Sequence, residues 1–160
     1  MHIHWFPGHM TKALRLMEEN TKAVDAVVYL LDARAPFSCV NDTFSGIIGG
    51  KPVHYVLNKV DLADKKKTDK WLAYFSKNGG NAVAVNGTAA QSARVVGDAV
   101  KKLENKKAAK FDAKGVRIPT RIMVLGVPNS GKSTLINTLC GKKSAVTGNR
   151  PGVTRGKQWV

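Results

Sequence analysis

Apolar residues along the chain follow two patterns: continuous runs of strand length, and runs in which they recur every three or four positions. Continuous runs are typical of strands in a parallel sheet that is covered on both faces. A continuous run occupies 26–31, and further strands are predicted at 53–57, 82–85 and 121–125. The second spacing is typical of helices that bury one face, and it predicts helices at 10–22, 44–48, 66–77, 93–103 and 133–140. Strands that alternate with helices predict a layered α/β fold with a mostly parallel sheet.

The length and composition indicate a single, strongly basic domain. The chain has 160 residues and a formal net charge of +15, from 26 Lys and Arg against 11 Asp and Glu. Its two cysteines, Cys39 and Cys140, are too few for a disulfide framework. No apolar run reaches the roughly 18 residues that a membrane span needs. We therefore expect a soluble, cytoplasmic protein that has no membrane partner.

The excess of positive charge bears on the choice of partner. Lysines and arginines cluster at 65–67 and between 101 and 121. Such a surplus on a small domain predicts a polyphosphate partner, most simply RNA, although a solvated lysine-rich surface would have the same composition. Few aromatic residues lie among these lysines in the sequence, so a stacking platform for single-stranded RNA is not predicted.

A glycine-rich motif follows the last predicted strand and opens the last predicted helix. It runs from Gly126 to Ser133 and reads G-x-x-x-x-G-K-S. This context is the one that a phosphate-binding loop requires, since backbone N–H groups and the positive end of the helix dipole then face the phosphates. Lys132 is expected to reach the β- and γ-phosphates, and the Ser133 hydroxyl to bind Mg²⁺. The alternative is an ordinary glycine turn before a helix.

A second motif, Asn58-Lys59-Val60-Asp61, leaves the end of the second strand, and it distinguishes GTP from ATP. The Asp61 carboxylate can accept hydrogen bonds from the guanine ring N–H and from the exocyclic amine, whereas adenine would leave it facing an acceptor. Asn58 is expected to bridge the base-binding loops, and the stem of Lys59 to lie along the base. An ATP-using enzyme is therefore disfavoured.

The order of the two motifs is reversed with respect to ordinary GTPases, in which the phosphate loop comes first. The residues from 121 onward are too few to form a domain alone, so the three earlier strands must complete the same sheet. We therefore expect one GTPase domain over residues 1–160, in which the charged segment 104–118 links what would otherwise be the two termini.

Five motifs together carry a resemblance to a known family. They are WFPGHM at 5–10, DARAP at 32–36, NKVD at 58–61, GVPNSGKS at 126–133 and RPGVTR at 150–155. In this order they resemble the circularly permuted GTPases of the YlqF type, also called ribosome biogenesis GTPase A. The resemblance implies a P-loop NTPase three-layer sandwich with NKxD before the phosphate loop. It also implies hydrolysis of GTP to GDP and phosphate, coupled to late maturation of the large ribosomal subunit, with rRNA contact.

The resemblance also implies roles for individual residues. Asn86-Gly87 matches the guanine loop, although a plain Asn-Gly turn is the alternative. Thr154 matches the switch threonine that reaches Mg²⁺ and the γ-phosphate, and Asn129 matches the asparagine that helps hold K⁺ in related GTPases. His9 is expected to orient the attacking water, although a lone histidine near a terminus is usually structural or solvated.

The resulting set of predicted site residues falls into three groups. The nucleotide-binding residues are Asn58, Lys59, Val60, Asp61, Asn86, Gly87, Asn129, Ser130, Gly131, Lys132, Ser133 and Thr134. The catalytic residues are His9, Lys132 and Thr154. The metal ligands are Ser133 and Thr154 for Mg²⁺ and Asn129 for K⁺. Ser130 stands where the family usually has valine, and Asp32 and Arg34 are expected to brace the edge of the sheet rather than to contact nucleotide.

Members of this family continue with a D-x-P-G motif and a helical C-terminal domain, neither of which follows RPGVTR here. We therefore expect the chain to be a monomeric piece of a longer protein, and to bind GDP at least as well as GTP with very slow hydrolysis. A second hypothesis is an RNA-binding module for ribosome assembly that holds guanine nucleotide with little turnover.

Overall fold

The computed structural model describes residues 8–78, 80–102 and 120–141, which form a parallel sheet flanked by helices. The strands are β1 (Ala26–Asp32), β2 (Val53–Asn58), β3 (Asn81–Val85) and β4 (Ile122–Leu125). The helices are α1 (Gly8–Thr21), α2 (Asp42–Ile48), α3 (Lys65–Lys77), α4 (Gln91–Lys101) and α5 (Lys132–Cys140). The predicted strands and helices are confirmed throughout these ranges, with small shifts at their ends.

The strand order within the sheet is β3-β2-β1-β4, and every pairing is parallel. The chain adds β2 and then β3 on one side of β1, and β4 returns to the other side. The first strand is therefore central, and six of its seven residues are buried. This order confirms the predicted α/β fold, in which the strand before the phosphate loop joins a sheet begun by the earlier strands.

The two faces of the sheet carry separate hydrophobic cores, which makes the fold three-layered. Val27, Tyr29 and Leu31 of β1 pack on the face that also holds buried residues of α2 and α3. Val28 and Leu30 point to the opposite face, together with buried residues of α4 and α5. This alternation is expected of a strand, since successive side chains point to opposite sides. Continuous apolar runs result because both faces are covered.

The helix ends follow local capping chemistry. The Asn41 side chain accepts a hydrogen bond from the Thr43 N–H at 2.9 Å and begins α2, which ends at Gly49 in the left-handed conformation, as the sequence predicted. The Asp64 carboxylate accepts from the Lys67 N–H at 2.8 Å and begins α3. These caps fix where the chain leaves the carboxyl edge of the sheet.

Three predictions fall outside the described residues: the linker at 104–118, the RPGVTR segment and the end of the fourth predicted helix at Leu103. Within the described ranges, none of the helices has the length and apolar character needed to cross a membrane.

Candidate functional site

The carboxyl ends of the four strands lie along one edge of the sheet and bring the predicted motifs together. Asp32 at the end of β1 is paired in register with Asn58 at the end of β2, which is paired with Val85 at the end of β3. The chain reverses its direction of strand addition between β1 and β4. In open α/β sheets, ligands bind at the carboxyl edge beside such a switch point, and here the phosphate loop follows β4 at that place.

Asn58 links three loops of this edge through its side-chain amide. Its Nδ2 donates to the backbone oxygen of Ser130 in the phosphate loop at 2.9 Å. Its Oδ1 accepts from the backbone N–H of Gly87, in the loop after β3, at 2.7 Å. Asn58 is only 2% exposed. One buried side chain therefore sets the spacing between the loop after β3, the NKVD turn and the phosphate loop.

Two glycines make room for this amide. A Cβ atom at Gly87 would lie 2.7 Å from Asn58 Oδ1, and one at Gly131 would collide with Asn58 Nδ2. Gly131 also has φ at +96°, in the left-handed region that side chains rarely adopt. Gly87 in the loop after β3 and the second glycine of the phosphate loop are thus explained by contact with the same asparagine.

Lys59 lies across the outer side of the phosphate loop. It adopts a left-handed backbone conformation, with φ at +64°. Its Nζ donates to the backbone oxygen of Asn129 at 2.6 Å and contacts Asp32 Oδ2 at 3.0 Å. These two partners fix the ammonium group, so the aliphatic stem runs from the NKVD turn toward the phosphate loop. The placement agrees with the expectation that the stem lies along a bound base, a role that stays a prediction.

Asp32 organises a small ion-pair network at the same edge. Its carboxylate accepts from Arg34 Nε at 2.9 Å and from Arg34 Nη2 at 2.7 Å, and it also contacts Lys59. The Arg34 hydrogen bonds, with help from Lys59, hold the pKa of Asp32 well below its usual range. The Asp32–Lys59 pair joins the ends of β1 and β2, whereas the expectation that Asp32 and Arg34 brace the edge rather than contact nucleotide stays a prediction. Sequence reasoning missed the Asp32–Lys59 pair, which the position of both residues at strand ends could have indicated.

Lys132 begins α5 with its side chain folded against the phosphate loop. Its Nζ donates to the backbone oxygens of Gly126 at 2.9 Å and of Val127 at 2.8 Å. Burial lowers the pKa of this ammonium group, since little solvent reaches it. The first N–H groups of a helix have no partner within the helix, and the positive end of the helix dipole lies with them. This part of the loop is therefore suited to bind an anion.

The remaining residues of the predicted set surround this arrangement. Asp61 lies in the 3₁₀ turn Val60–Leu62, directly after Lys59, with its carboxylate exposed. Asn86 Oδ1 accepts from the backbone N–H of Thr88 at 3.1 Å, which shapes the loop after β3. Thr138 of α5 donates its hydroxyl to the backbone oxygen of Gly87 at 2.7 Å. This last contact was not anticipated, and it ties the helix after the phosphate loop to the loop after β3.

Ser130 and its neighbours complete the phosphate loop. Ser130 is 1% exposed, and its hydroxyl has no hydrogen-bond partner in the described part of the chain. Ser133 and Thr134 occupy the first turn of α5. Asn129 is exposed and adopts φ at +61°.

A cavity of about 510 Å³ lies beside the loop, and the ion-pair network forms one of its walls. It is lined in part by Asp32, Arg34, Ser38, Lys59, Pro128 and Asn129.

Comparison with known proteins shows what this chain is similar to. A family model described as 50S ribosome-binding GTPase matches residues 121–160. The ribosome biogenesis GTPase A of Bacillus cereus is 47% identical over 100% of this chain and 54% of its own length. The protein of the same name from Thermotoga maritima is 37% identical over 98% of this chain and 53% of its own length. The resemblance to the ribosome biogenesis GTPase A family is confirmed.

A further relative and two solved structures agree with this resemblance. The mitochondrial ribosome-associated GTPase 1 of Xenopus tropicalis is 39% identical over 95% of this chain and 50% of its own length. The GNP-bound structure of YlqF from T. maritima covers 82% of this chain and 49% of that chain, with a TM-score of 0.58 and 33% identity. The GDP-bound structure of TM YlqF covers 80% of this chain and 48% of that chain, with a TM-score of 0.56 and 30% identity. The chain thus spans about half the length of the relatives it matches.

Several residues that the ribosome biogenesis GTPase A family predicts cannot be placed in the site. His9 lies in the first turn of α1, and the structure describes the side chains of this helix only from Leu14 onward. Thr154 lies outside the described residues. The catalytic roles of His9 and Thr154 therefore stay predictions. The described residues contain no cluster of three or more His, Cys, Asp or Glu side chains that could hold a metal ion.

Proposed function

We propose that this chain binds guanine nucleotide at the carboxyl edge of its sheet and forms part of a GTPase switch for assembly of the large ribosomal subunit. The observation that carries the proposal is the Asn58 amide, which connects the NKVD turn, the guanine loop and the phosphate loop. In this proposal, each of the three loops contacts a different part of the guanine nucleotide. A buried side chain that joins all three would let base and phosphates be bound together.

Base recognition is assigned to the two loops after β2 and β3. Asp61 would accept from the guanine N–H groups, and the backbone around Asn86 and Gly87 would approach the base. The exposed position of Asp61 supports this role, because a carboxylate facing solvent is free to meet a ligand. Adenine presents an acceptor at the same place, so selectivity would follow from an unpaired carboxylate.

Phosphate binding is assigned to the loop before α5. Ser130 and Gly131 of this loop, and Thr134 directly after it, would contribute, and Lys132 would contact the β- and γ-phosphates. Val60 would contribute as part of the NKVD turn. The hydroxyls of Ser133 and Thr154 would hold Mg²⁺, which prefers oxygen ligands, and the Asn129 side chain would hold K⁺. Cations bound there would offset the negative charge of the phosphates during hydrolysis.

The remaining parts of the proposal concern turnover and partner. His9 would orient the attacking water, since an imidazole can accept a proton near neutral pH. The net charge of +15 supports contact with rRNA. The names of the relatives, ribosome biogenesis GTPase A and mitochondrial ribosome-associated GTPase 1, support a ribosomal partner, and the family description 50S ribosome-binding GTPase supports the large subunit. A monomer located in the cytoplasm completes the proposal.

A nucleotide titration tests this function directly. Fluorescent GDP, GTP and ATP are titrated against the chain, and we expect binding of both guanine nucleotides at least about 100-fold tighter than that of ATP. Asp61→Asn should weaken GDP binding and favour xanthosine diphosphate, whose exocyclic oxygen can accept from the new amide. Asp69→Asn, an exposed carboxylate of α3, is the matched control and should change neither affinity.

The outcomes separate the hypotheses. Equal affinity of the parent and of Asp61→Asn for GDP would show that the NKVD assignment is wrong. To distinguish a hydrolysing switch from an RNA-binding module with little turnover, GTP hydrolysis by the longer protein is compared with and without purified large ribosomal subunits. A rate that rises with the subunits supports the switch, whereas a rate that stays negligible in both supports the module.

A further inference from the structure

Three aromatic side chains form a cluster beside the candidate site, which we call the aromatic patch: the exposed Phe37 and Tyr74, and the half-buried Trp71, which contacts both. Phe37 follows β1 in a 3₁₀ turn and is 61% exposed, and Tyr74 of α3 is 45% exposed. The rings of Phe37 and Trp71 are nearly parallel, with centroids 6.2 Å apart, and Tyr74 meets Trp71 edge-on at 5.6 Å. Large aromatic side chains grouped on a surface often mark a binding site.

The aromatic patch is anchored to the core by a buried ring. Phe75, which is 4% exposed, lies 6.0 Å from Trp71 and 5.3 Å from Tyr74 between ring centroids. It also contacts Tyr55 of β2 at 4.8 Å. The exposed rings are thus the outer end of a continuous aromatic stack, so their positions are fixed before any partner binds. A preorganised surface loses less entropy on binding.

Lysines share the surface of the helix with these aromatic rings. Lys67, Lys70 and Lys77 are exposed and lie three or four residues from Trp71 or Tyr74, which places them on the same side of α3. Asp69 falls on the opposite side of the helix by the same spacing. The acidic residue nearest the start of the helix, Asp64, uses its carboxylate as the N-terminal cap. The side of α3 that carries Trp71 and Tyr74 is therefore basic and aromatic. Asp69 lies between Lys67 and Lys70 in the sequence but on another side of the helix.

We propose that the aromatic patch, together with Lys67, Lys70 and Lys77, binds RNA that presents unpaired bases. Aromatic rings stack on bases whose faces are free, and lysines contact the adjacent phosphates. Charge complementarity favours RNA over a protein segment, because a polyanion matches three uncompensated lysines. The proposal deepens the proposed ribosomal function by naming a contact surface. The sequence did not predict such a platform, because few aromatic residues lie among the clustered lysines. The fold adds Phe37, which lies far from Trp71 along the chain.

The first test compares single-stranded with duplex RNA. A labelled oligoribonucleotide of about 12 nucleotides, near the site size of small single-strand binders, is titrated against the full chain. It is used first as a single strand and then as a duplex with its complement. Phe37→Ala and Tyr74→Ala should each weaken binding of the single strand roughly five- to tenfold, since each removes one stacking surface. Duplex binding should change less than about twofold, because paired bases offer no free face. Leu139→Ala, an exposed apolar residue of α5, is the control and should change neither.

The second test measures the lysines by salt dependence. Removing two phosphate contacts should reduce the slope of log affinity against log salt by about 1.4 for a single strand, because each contact contributes about 0.7. Lys67→Ala/Lys70→Ala should show this reduction. The double variant Arg15→Ala/Lys22→Ala, which removes two exposed basic residues in and just after α1, outside both lysine-rich clusters, should keep the parent slope.

Binding of fluorescent GDP, measured on every variant, separates this proposal from the proposed function. A chain that binds the single strand through the aromatic patch but binds no GDP supports the surface and contradicts the nucleotide function. If Phe37→Ala and Tyr74→Ala bind GDP normally and bind the single strand as tightly as the parent, the RNA surface is overturned, and a protein partner would then be the occupant to seek. Equal losses in the patch variants and in Leu139→Ala would also overturn it.

Discussion

The two ends of strand β2 each bury a polar side chain, with opposite results. Asn58 at the carboxyl end is 2% exposed, and both atoms of its amide are hydrogen-bonded to neighbouring loops. His54 near the amino end is 1% exposed, and neither ring nitrogen has a partner among the residues that the structure describes. The two side chains are separated by four positions of one strand and so point to the same face of the sheet.

The difference shows where the fold uses buried polarity. A buried polar group that is fully paired costs little and can hold separate segments in register, whereas an unpaired one retains its desolvation penalty. At the carboxyl edge, the Asn58 amide spaces the loops of the candidate nucleotide site. At the amino edge, burial lowers the pKa of His54 and favours its neutral form. The same strand thus supports function at one end and carries an energetic cost at the other.

Removing the paired side chain should have the largest effect on stability. Asn58→Ala leaves the Gly87 N–H and the Ser130 carbonyl without their partner in a buried place, so the free energy of unfolding should fall by about 3 kcal/mol. Urea unfolding followed by circular dichroism measures this. Asn78→Ala, which removes an exposed amide that donates to the Tyr74 carbonyl, is the control and should cost less than about 1 kcal/mol. Equal losses would mean that the Asn58 bridge has no special weight.

Replacing the unpaired side chain should change the pH dependence of stability. The folded-state pKa of His54 is lowered, so in the interval between its folded and unfolded pKa values the unfolded chain binds the proton and the folded chain does not. The contribution of the neutral His54 to the free energy of unfolding should therefore be fully present above the pKa that His54 has in the unfolded chain, and it should decline as pH falls below that value. The parent should lose about 1 kcal/mol more between pH 7.5 and pH 5.5 than His54→Leu does. Parallel pH profiles of the two proteins would contradict this account of His54.

A smaller effect is expected beside Asn58, where Asp32 is paired with it in register. The pKa of Asp32 is lowered in the fold, so its ion pairs stabilise above the unfolded pKa and are lost as pH falls through and below that value. Asp32→Asn should reduce the free energy of unfolding by about 0.5 kcal/mol at pH 7, and the difference should shrink toward pH 2. Asp98→Asn, which removes exposed ion pairs of α4, should have almost no effect at either pH. A difference between parent and Asp32→Asn that persists at pH 2 would contradict the ion-pair explanation.

Much of the fold could be predicted from the sequence because its signals are local. The buried run at β1 and the glycines after α2 mark element ends without reference to the rest of the chain. The position of β4 beside β1, rather than beside β3, could not be obtained in this way, since strand partners are chosen by tertiary packing. The motif order indicated only that all four strands share one sheet.

The candidate site likewise combines residues that contiguous motifs predict with contacts that only the fold creates. Asn58, Lys59 and Lys132 stood out because their motifs are contiguous and follow strands. The pairing of Asp32 with Lys59 joins residues that are 27 positions apart, and the Thr138 contact with Gly87 joins residues that are 51 apart. No local pattern encodes such contacts. They become visible only when parallel strands bring their carboxyl ends to one edge.

The most direct test of the central claim, that the Asn58 amide organises the nucleotide site, uses two glycine variants. A Cβ atom at Gly87 would lie 2.7 Å from Asn58 Oδ1 and would displace the amide, whereas a Cβ atom at Gly97 in α4 would meet nothing within 4 Å. Fluorescent GDP is titrated against both variants and the parent, with folding checked by circular dichroism. We predict that folded Gly87→Ala binds GDP at least about tenfold more weakly than the parent, equivalent to about 1.4 kcal/mol, while Gly97→Ala binds it as the parent does. Parent-like GDP affinity in Gly87→Ala would contradict the claim.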